Sequence, residues 1–168
     1  VKTHSLTSII TQFSPADFHP PLYYLFMDVW TNIFGYSEIA LRMPSVLFSL
    51  GAGWLVYQIV LNTKYEIPNT KAAFYAAAFF LFNPLIIYYS QEARMYMMST
   101  FFIAVSFYYF IKILNTKYEI LNTNFWLMNL FLILSFFTFY ASVFYVAAVY
   151  LFMLLSSSGL TRGSRIVS

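Results

Sequence analysis

The sequence predicts an all-α, polytopic membrane helix bundle, and three observations carry that prediction. Of 168 residues, 61% are hydrophobic and only 9% are charged, whereas a soluble domain carries about 25% charged and 45–50% apolar residues. Mean hydropathy is +0.69. Several apolar runs approach or exceed the roughly 20 residues that a helix needs to cross a bilayer. Together these exclude a disordered chain and an ordinary soluble enzyme with a charged surface. Aromatic residues reach 23%, which suits rings that face lipid or pack between helices. There is no cysteine, so disulfides, thiol nucleophiles and Cys-ligated zinc are excluded. The net charge of +3 includes no basic run of the kind that binds nucleic acid, and no nucleic-acid partner is expected.

Residues 1–16 are polar to mildly amphipathic. Leu6, Ile9, Ile10 and Phe13 fall at helical spacing, which predicts a short surface helix ended by Pro15. The run Asp17-Phe18-His19-Pro20-Pro21 follows, and its paired prolines suit the first turn of a helix. Residues 22–34 are apolar and aromatic, interrupted by Asp28 and Asn32 and stopped by Gly35. Five long segments come next: 39–61, with Arg42 and Pro44 near its start; 72–89, with Pro84 inside; 95–114; and two that share the uncharged stretch 125–155. That stretch is long for one helix, so a break near Tyr140 to Ser142 is expected. About five spanning helices and one or two juxtamembrane helices result. The expected organisation is an outer-face loop with juxtamembrane helices over 1–36, a bundle over 37–156 and a cytoplasmic tail over 157–168.

Residues 61–70 read LNTKYEIPNT and residues 114–123 read LNTKYEILNT, identical at nine of ten positions. The flanking segments do not match, so this is a duplicated loop and not a solenoid repeat. The charges then orient the chain. Lys64, Lys71, Lys112, Lys117, Arg162 and Arg165 share one side with Glu66 and Glu119, while Lys2, Arg42 and Arg94 share the other with Asp17, Asp28, Glu38 and Glu92. Positive loops stay cytoplasmic, which puts both duplicated loops and the tail inside, and Asp17 and residues 90–94 outside. On that parity, residues 20–34 form a juxtamembrane or re-entrant helix. The chain begins with Val1, and the expectation is that an upstream helix is missing.

Ionisable groups near hydrocarbon cost about 2.5–3.5 kcal/mol each on insertion scales, and in this chain they gather at one face. The densest patch is Tyr88-Tyr89-Ser90-Gln91-Glu92-Ala93-Arg94-Met95-Tyr96. If it opens a helix, Tyr88, Glu92 and Tyr96 line one side and Gln91 and Arg94 another. Glu92 and Arg94, two apart, would then point nearly opposite ways. Glu92 could instead hold the 20–34 helix, orient a substrate hydroxyl or pair with Arg42. An arginine near a helix start opposes the helix dipole, and an anionic ligand would compensate, since the guanidinium suits phosphate oxygens. Asp17 with His19 supplies only two ligands for a metal.

In order and spacing, Asp17 to Tyr24, Phe34-Gly35-Tyr36-Ser37-Glu38, Leu41-Arg42-Met43-Pro44-Ser45, Asn83-Pro84 and Tyr89 to Tyr96 together resemble a known pattern. It is that of bacterial GT-C superfamily membrane glycosyltransferases, the Rgt-like relatives of protein O-mannosyltransferases and of the lipid A aminoarabinose transferase. The resemblance covers about residues 5–155. It implies a multi-pass enzyme of the bacterial cytoplasmic membrane, acting in the cell envelope or in lipopolysaccharide synthesis. Such an enzyme moves a sugar from a polyprenyl-phosphate carrier to a glycan, lipid or protein acceptor on the outer face, usually with inversion. Some members use a divalent metal and others do not. The family's acidic Asp-Glu motif in the first outer loop is absent, and its Thr-His-Tyr turn reads Thr138-Phe139-Tyr140 here.

The resemblance implies roles for particular residues. Arg94 would meet the phosphate, with Glu92 and Gln91 shaping the site and Tyr89, Tyr96 and Arg42 also binding substrate. Asp17 and His19 would serve the sugar or acceptor side, so that Asp17 and Glu92 are the candidate catalytic carboxylates. Two other readings stand beside it. A transporter would show broken helices and midplane charges, and here charges avoid mid-helix positions. A non-catalytic membrane scaffold would keep the fold without the upstream acid.

Overall fold

A computed structural model describes residues 20–63, 70–115 and 123–157. The predicted short helix of residues 1–16, Asp17, His19, the middles of both duplicated loops and the C-terminal tail lie outside the described residues. Within them the chain is helical, with seven α-helices and no strand: α1 (Leu22–Phe34), α2 (Glu38–Asn62), α3 (Thr70–Leu81), α4 (Pro84–Ser90), α5 (Tyr96–Asn115), α6 (Thr123–Thr138) and α7 (Val143–Ser157), with a 3₁₀ turn at Tyr140–Ser142 before α7. This is the helix bundle that composition predicted.

Local chemistry sets the boundaries. Pro21 precedes α1. Gly35 ends it at φ 81°, ψ −171°, a backbone conformation that is essentially restricted to glycine. Ser37 caps α2, its hydroxyl accepting from the Ala40 N–H at 3.2 Å, and Glu38 in the first turn suits the helix dipole. The predicted 72–89 segment is corrected: it is two helices bent by 59°. Pro84 disfavours helical backbone at the residue before it, and Asn83 accordingly sits at ψ 129°, its side chain capping α4 through the Leu85 N–H at 2.9 Å.

The predicted split of 125–155 falls where the 3₁₀ turn separates α6 from α7. By length and apolarity α2 and α5 can each cross a membrane, and α3 with α4 counts as a third only where the bent pair forms one broken span rather than a re-entrant loop. With 16 and 15 residues, α6 and α7 are shorter than the roughly 20 that a full crossing takes. The expected count of five crossings is therefore met by length only up to three. At 13 residues, or about 20 Å, α1 is too short to span, in keeping with a juxtamembrane helix.

Two clusters mark opposite ends of the bundle. At one, Tyr23 and Met27 of α1 are buried with Met95 and Met98, flanked by Trp30, Phe48, Tyr96 and Phe139. At the other, Phe110, Ile113, Met128, Leu132 and Val149 pack together. The Asn115 amide donates to the Asn62 carbonyl at 2.6 Å, so α2 and α5 finish side by side where the duplicated loops begin. Tight helix contact needs small residues: a Cβ on Gly53 would fall 2.6 Å from Leu81, and one on Gly51 would fall 2.8 Å from Phe101. Large apolar side chains such as Phe74, Phe79, Phe82, Trp126, Ile133 and Phe144 point outward, an arrangement that costs nothing when the surroundings are lipid.

Candidate functional site

Chemistry-bearing residues collect at the end where α1 docks. The segment between α4 and α5, residues 91–95, is a non-helical elbow, and this corrects the helical-face geometry expected for it. Glu92 and Arg94 turn to the same side and form an ion pair, Arg94 Nε to Glu92 Oε2 at 3.7 Å. They are not the poor partners that helical spacing implied, because a bend frees residues two apart from the near-opposition that a helix imposes. The contact is single rather than a bidentate fork, and the Arg94 side chain is 62% exposed against 24% for Glu92.

Tyrosines complete the elbow. Tyr88 interacts with Glu92, and Tyr96 with Arg94. Tyr96 first, and then the Glu92 charge, hold the Arg94 guanidinium above the usual arginine range, so it stays cationic at every working pH. Rings continue the surface: Tyr88 meets Tyr89 at 5.2 Å, Tyr89 meets Tyr96 at 4.8 Å, and Tyr96 meets Phe139 at 5.5 Å. The 138–140 turn thus lies at this same end. The expected helix that joins Tyr88, Glu92 and Tyr96 on one face is replaced by two local pairs, Tyr88 with Glu92 and Tyr96 with Arg94. Gln91 closes α4, its N–H donating to the Tyr88 and Tyr89 carbonyls, and its side chain is exposed.

Arg42 sits in the second turn of α2 and pairs with Glu38 at 2.7 Å, both side chains more than half exposed. Its partner is thus Glu38 and not Glu92. Sequence reasoning missed two residues that hold this end together. Ser45, 1% exposed, donates to the Glu92 carbonyl at 2.6 Å. Trp30 donates from its indole to the Ala40 carbonyl at 2.8 Å. The available signal was Pro44, since a proline inside a helix leaves one carbonyl without its donor. Among the described residues no three of His, Asp and Glu cluster as a metal site would need.

An all-helical, largely apolar bundle with a tyrosine-lined elbow that pairs Glu92 with Arg94 at one end defines a membrane protein. A family model described as dolichyl-phosphate-mannose-protein mannosyltransferase matches residues 18–166. The chain belongs to that family, whose members are GT-C-type membrane glycosyltransferases working with a lipid-linked sugar and an acceptor. No curated protein and no solved structure matches the chain.

Proposed function

We propose that the protein transfers a sugar from a polyprenyl-phosphate donor to a glycan, lipid or protein acceptor at the outer face of a bacterial cytoplasmic membrane, with both duplicated loops on the cytoplasmic side. One observation carries this reading. The Arg94 elbow and the helix begun by Pro20-Pro21 share one end of the bundle, joined through Met95 and Met98 against Tyr23 and Met27. As the glycosidic bond breaks, the leaving phosphate gathers negative charge, and a preorganised cation there is a large catalytic contribution. Arg94 meets that phosphate. Glu92 orients Arg94 and, with Gln91, Tyr89 and Tyr96, shapes the surface that meets the sugar, while Arg42 stands at the same end of α2. Asp17 and His19 serve the sugar or acceptor side. The residues fall into an outer-face portion over 1–36, the bundle over 37–156 and a tail over 157–168.

The test is transfer from a polyprenyl-phosphate-linked hexose in reconstituted membranes. Arg94→Ala should lower turnover by about a hundredfold or more, and unchanged turnover would remove the phosphate assignment. The 59° break at Asn83-Pro84 favours one competing reading, a transporter with a broken helix. Substrate flux across sealed vesicles without transfer would establish that reading instead.

A further inference from the structure

Helical serines and threonines ordinarily turn their hydroxyls back onto their own helix. Here Thr31 bonds the Met27 carbonyl, Ser49 the Val46 carbonyl, Ser90 the Ile87 carbonyl, Thr100 the Tyr96 carbonyl and Thr138 the Leu134 carbonyl. Ser45 departs from this habit, as does the buried Ser99–Ser135 hydroxyl pair between α5 and α6, but Ser45 reaches a backbone carbonyl outside the helices. Its hydroxyl crosses to the Glu92 carbonyl, 47 residues away, at 2.6 Å. That carbonyl lies in the elbow, outside any helical ladder, so a partner from another element is what satisfies it. The side chain that makes the bond is almost fully buried, while the guanidinium it would steady is exposed.

We infer that Ser45 is a positioning residue that pins the Glu92–Arg94 elbow to α2 and so fixes where the Arg94 guanidinium stands. The inference rests on the phosphate-binding reading of Arg94. An exposed arginine on an unpinned bend would spread over many positions, and ordering it would cost entropy at each binding event. The Ser45 bond removes that freedom beforehand, at the backbone of the residue that also supplies the ion-pair carboxylate. Pro44 adds a second tie on the adjacent residue, because it frees the Ala40 carbonyl for Trp30. The Pro44-Ser45 step therefore joins α1 and the elbow to α2 together.

The native chain has no cysteine, so a single nitroxide at Ala93→Cys, an exposed elbow position, reports the elbow alone. In nanodiscs Ser45→Ala should make that label more mobile, and Ser45→Thr, which keeps the hydroxyl, should leave its spectrum as in the parent. In unlabelled protein, Ser45→Ala should weaken binding of polyprenyl phosphate by about tenfold or more, with Ser45→Thr close to wild type. If Ser45→Ala does not fold, Ser45→Val against Ser45→Thr makes the same comparison at nearly equal volume. A label unmoved by loss of the hydroxyl, or a Thr variant as weak as Ala, overturns the inference. If Arg94→Ala binds polyprenyl phosphate as wild type does while Ser45→Ala still frees the label, the pinning stands and the phosphate reading falls.

Discussion

The Trp30 indole N–H donates at 2.8 Å to the Ala40 carbonyl, the acceptor that Pro44 leaves without its helical donor four residues on. A defect in α2 is thereby turned into the attachment point of α1. The stacked ring of Phe26 and the close ring of Phe34, 4.2 Å from Trp30, flank the indole. Removing the donor with Trp30→Phe should destabilise the protein by about 1–3 kcal/mol, since a partly buried carbonyl is left unpaired. In a Pro44→Ala background the helix recovers its own donor, and the same change should cost less. Thermal unfolding of the four proteins in detergent measures the coupling; strict additivity would show that the indole bond does not depend on the proline.

Tyr23 carries a hydroxyl that is buried and unpartnered. Burial, with a smaller contribution from Tyr24, pushes its ionisation far above the usual tyrosine range, so it stays neutral and contributes no pH dependence at any ordinary pH. Tyr23→Phe should raise the melting temperature, because it removes an unsatisfied polar atom worth about 1 kcal/mol or more. A lower melting temperature would reveal a partner for the hydroxyl.

Gly35 occupies backbone space closed to other residues, while its missing Cβ would face open space. Gly35→Ala should therefore cost about 1–3 kcal/mol through backbone strain alone. Its effect should appear as loosening of the α1–α2 corner in hydrogen exchange, and protection equal to the parent would contradict it.

Arg94 keeps its charge at all working pH values, so the pH dependence of donor binding should not reflect loss of this cation. Arg94→Lys preserves the charge but not the planar fork. It should bind polyprenyl phosphate more weakly than wild type and better than Arg94→Ala. Equal binding by the Lys and Ala variants would mean that charge contributes nothing there.

Cysteines at Ala93 and at Lys71, both exposed and at opposite ends of the bundle, should react with a membrane-impermeant maleimide from opposite sides of sealed vesicles. The 20-residue α5 alone separates the two ends by about 30 Å. Labelling from one side would overturn the assignment of the elbow to the outer face.

Composition and spacing determined a good deal about this chain. The low charge and long apolar runs set the bundle, because backbone in lipid must satisfy its own hydrogen bonds and helices do so. Proline and glycine set the ends of α1 and the bend at Asn83-Pro84, since these limits are local and act within a few residues, while the break near Tyr140 was legible only from the length of the uncharged stretch 125–155. Sequence also marked the 88–96 patch as the place where polar groups gather. Tertiary structure alone decided how that patch is arranged. Periodicity assumes a continuing helix, and the elbow at 91–95 is not one, so the Glu92–Arg94 pair was hidden until the fold was in hand. The Ser45–Glu92 and Trp30–Ala40 bonds were hidden for a related reason. Each pairs a side chain with a backbone carbonyl on another element, and a carbonyl leaves no trace in residue type.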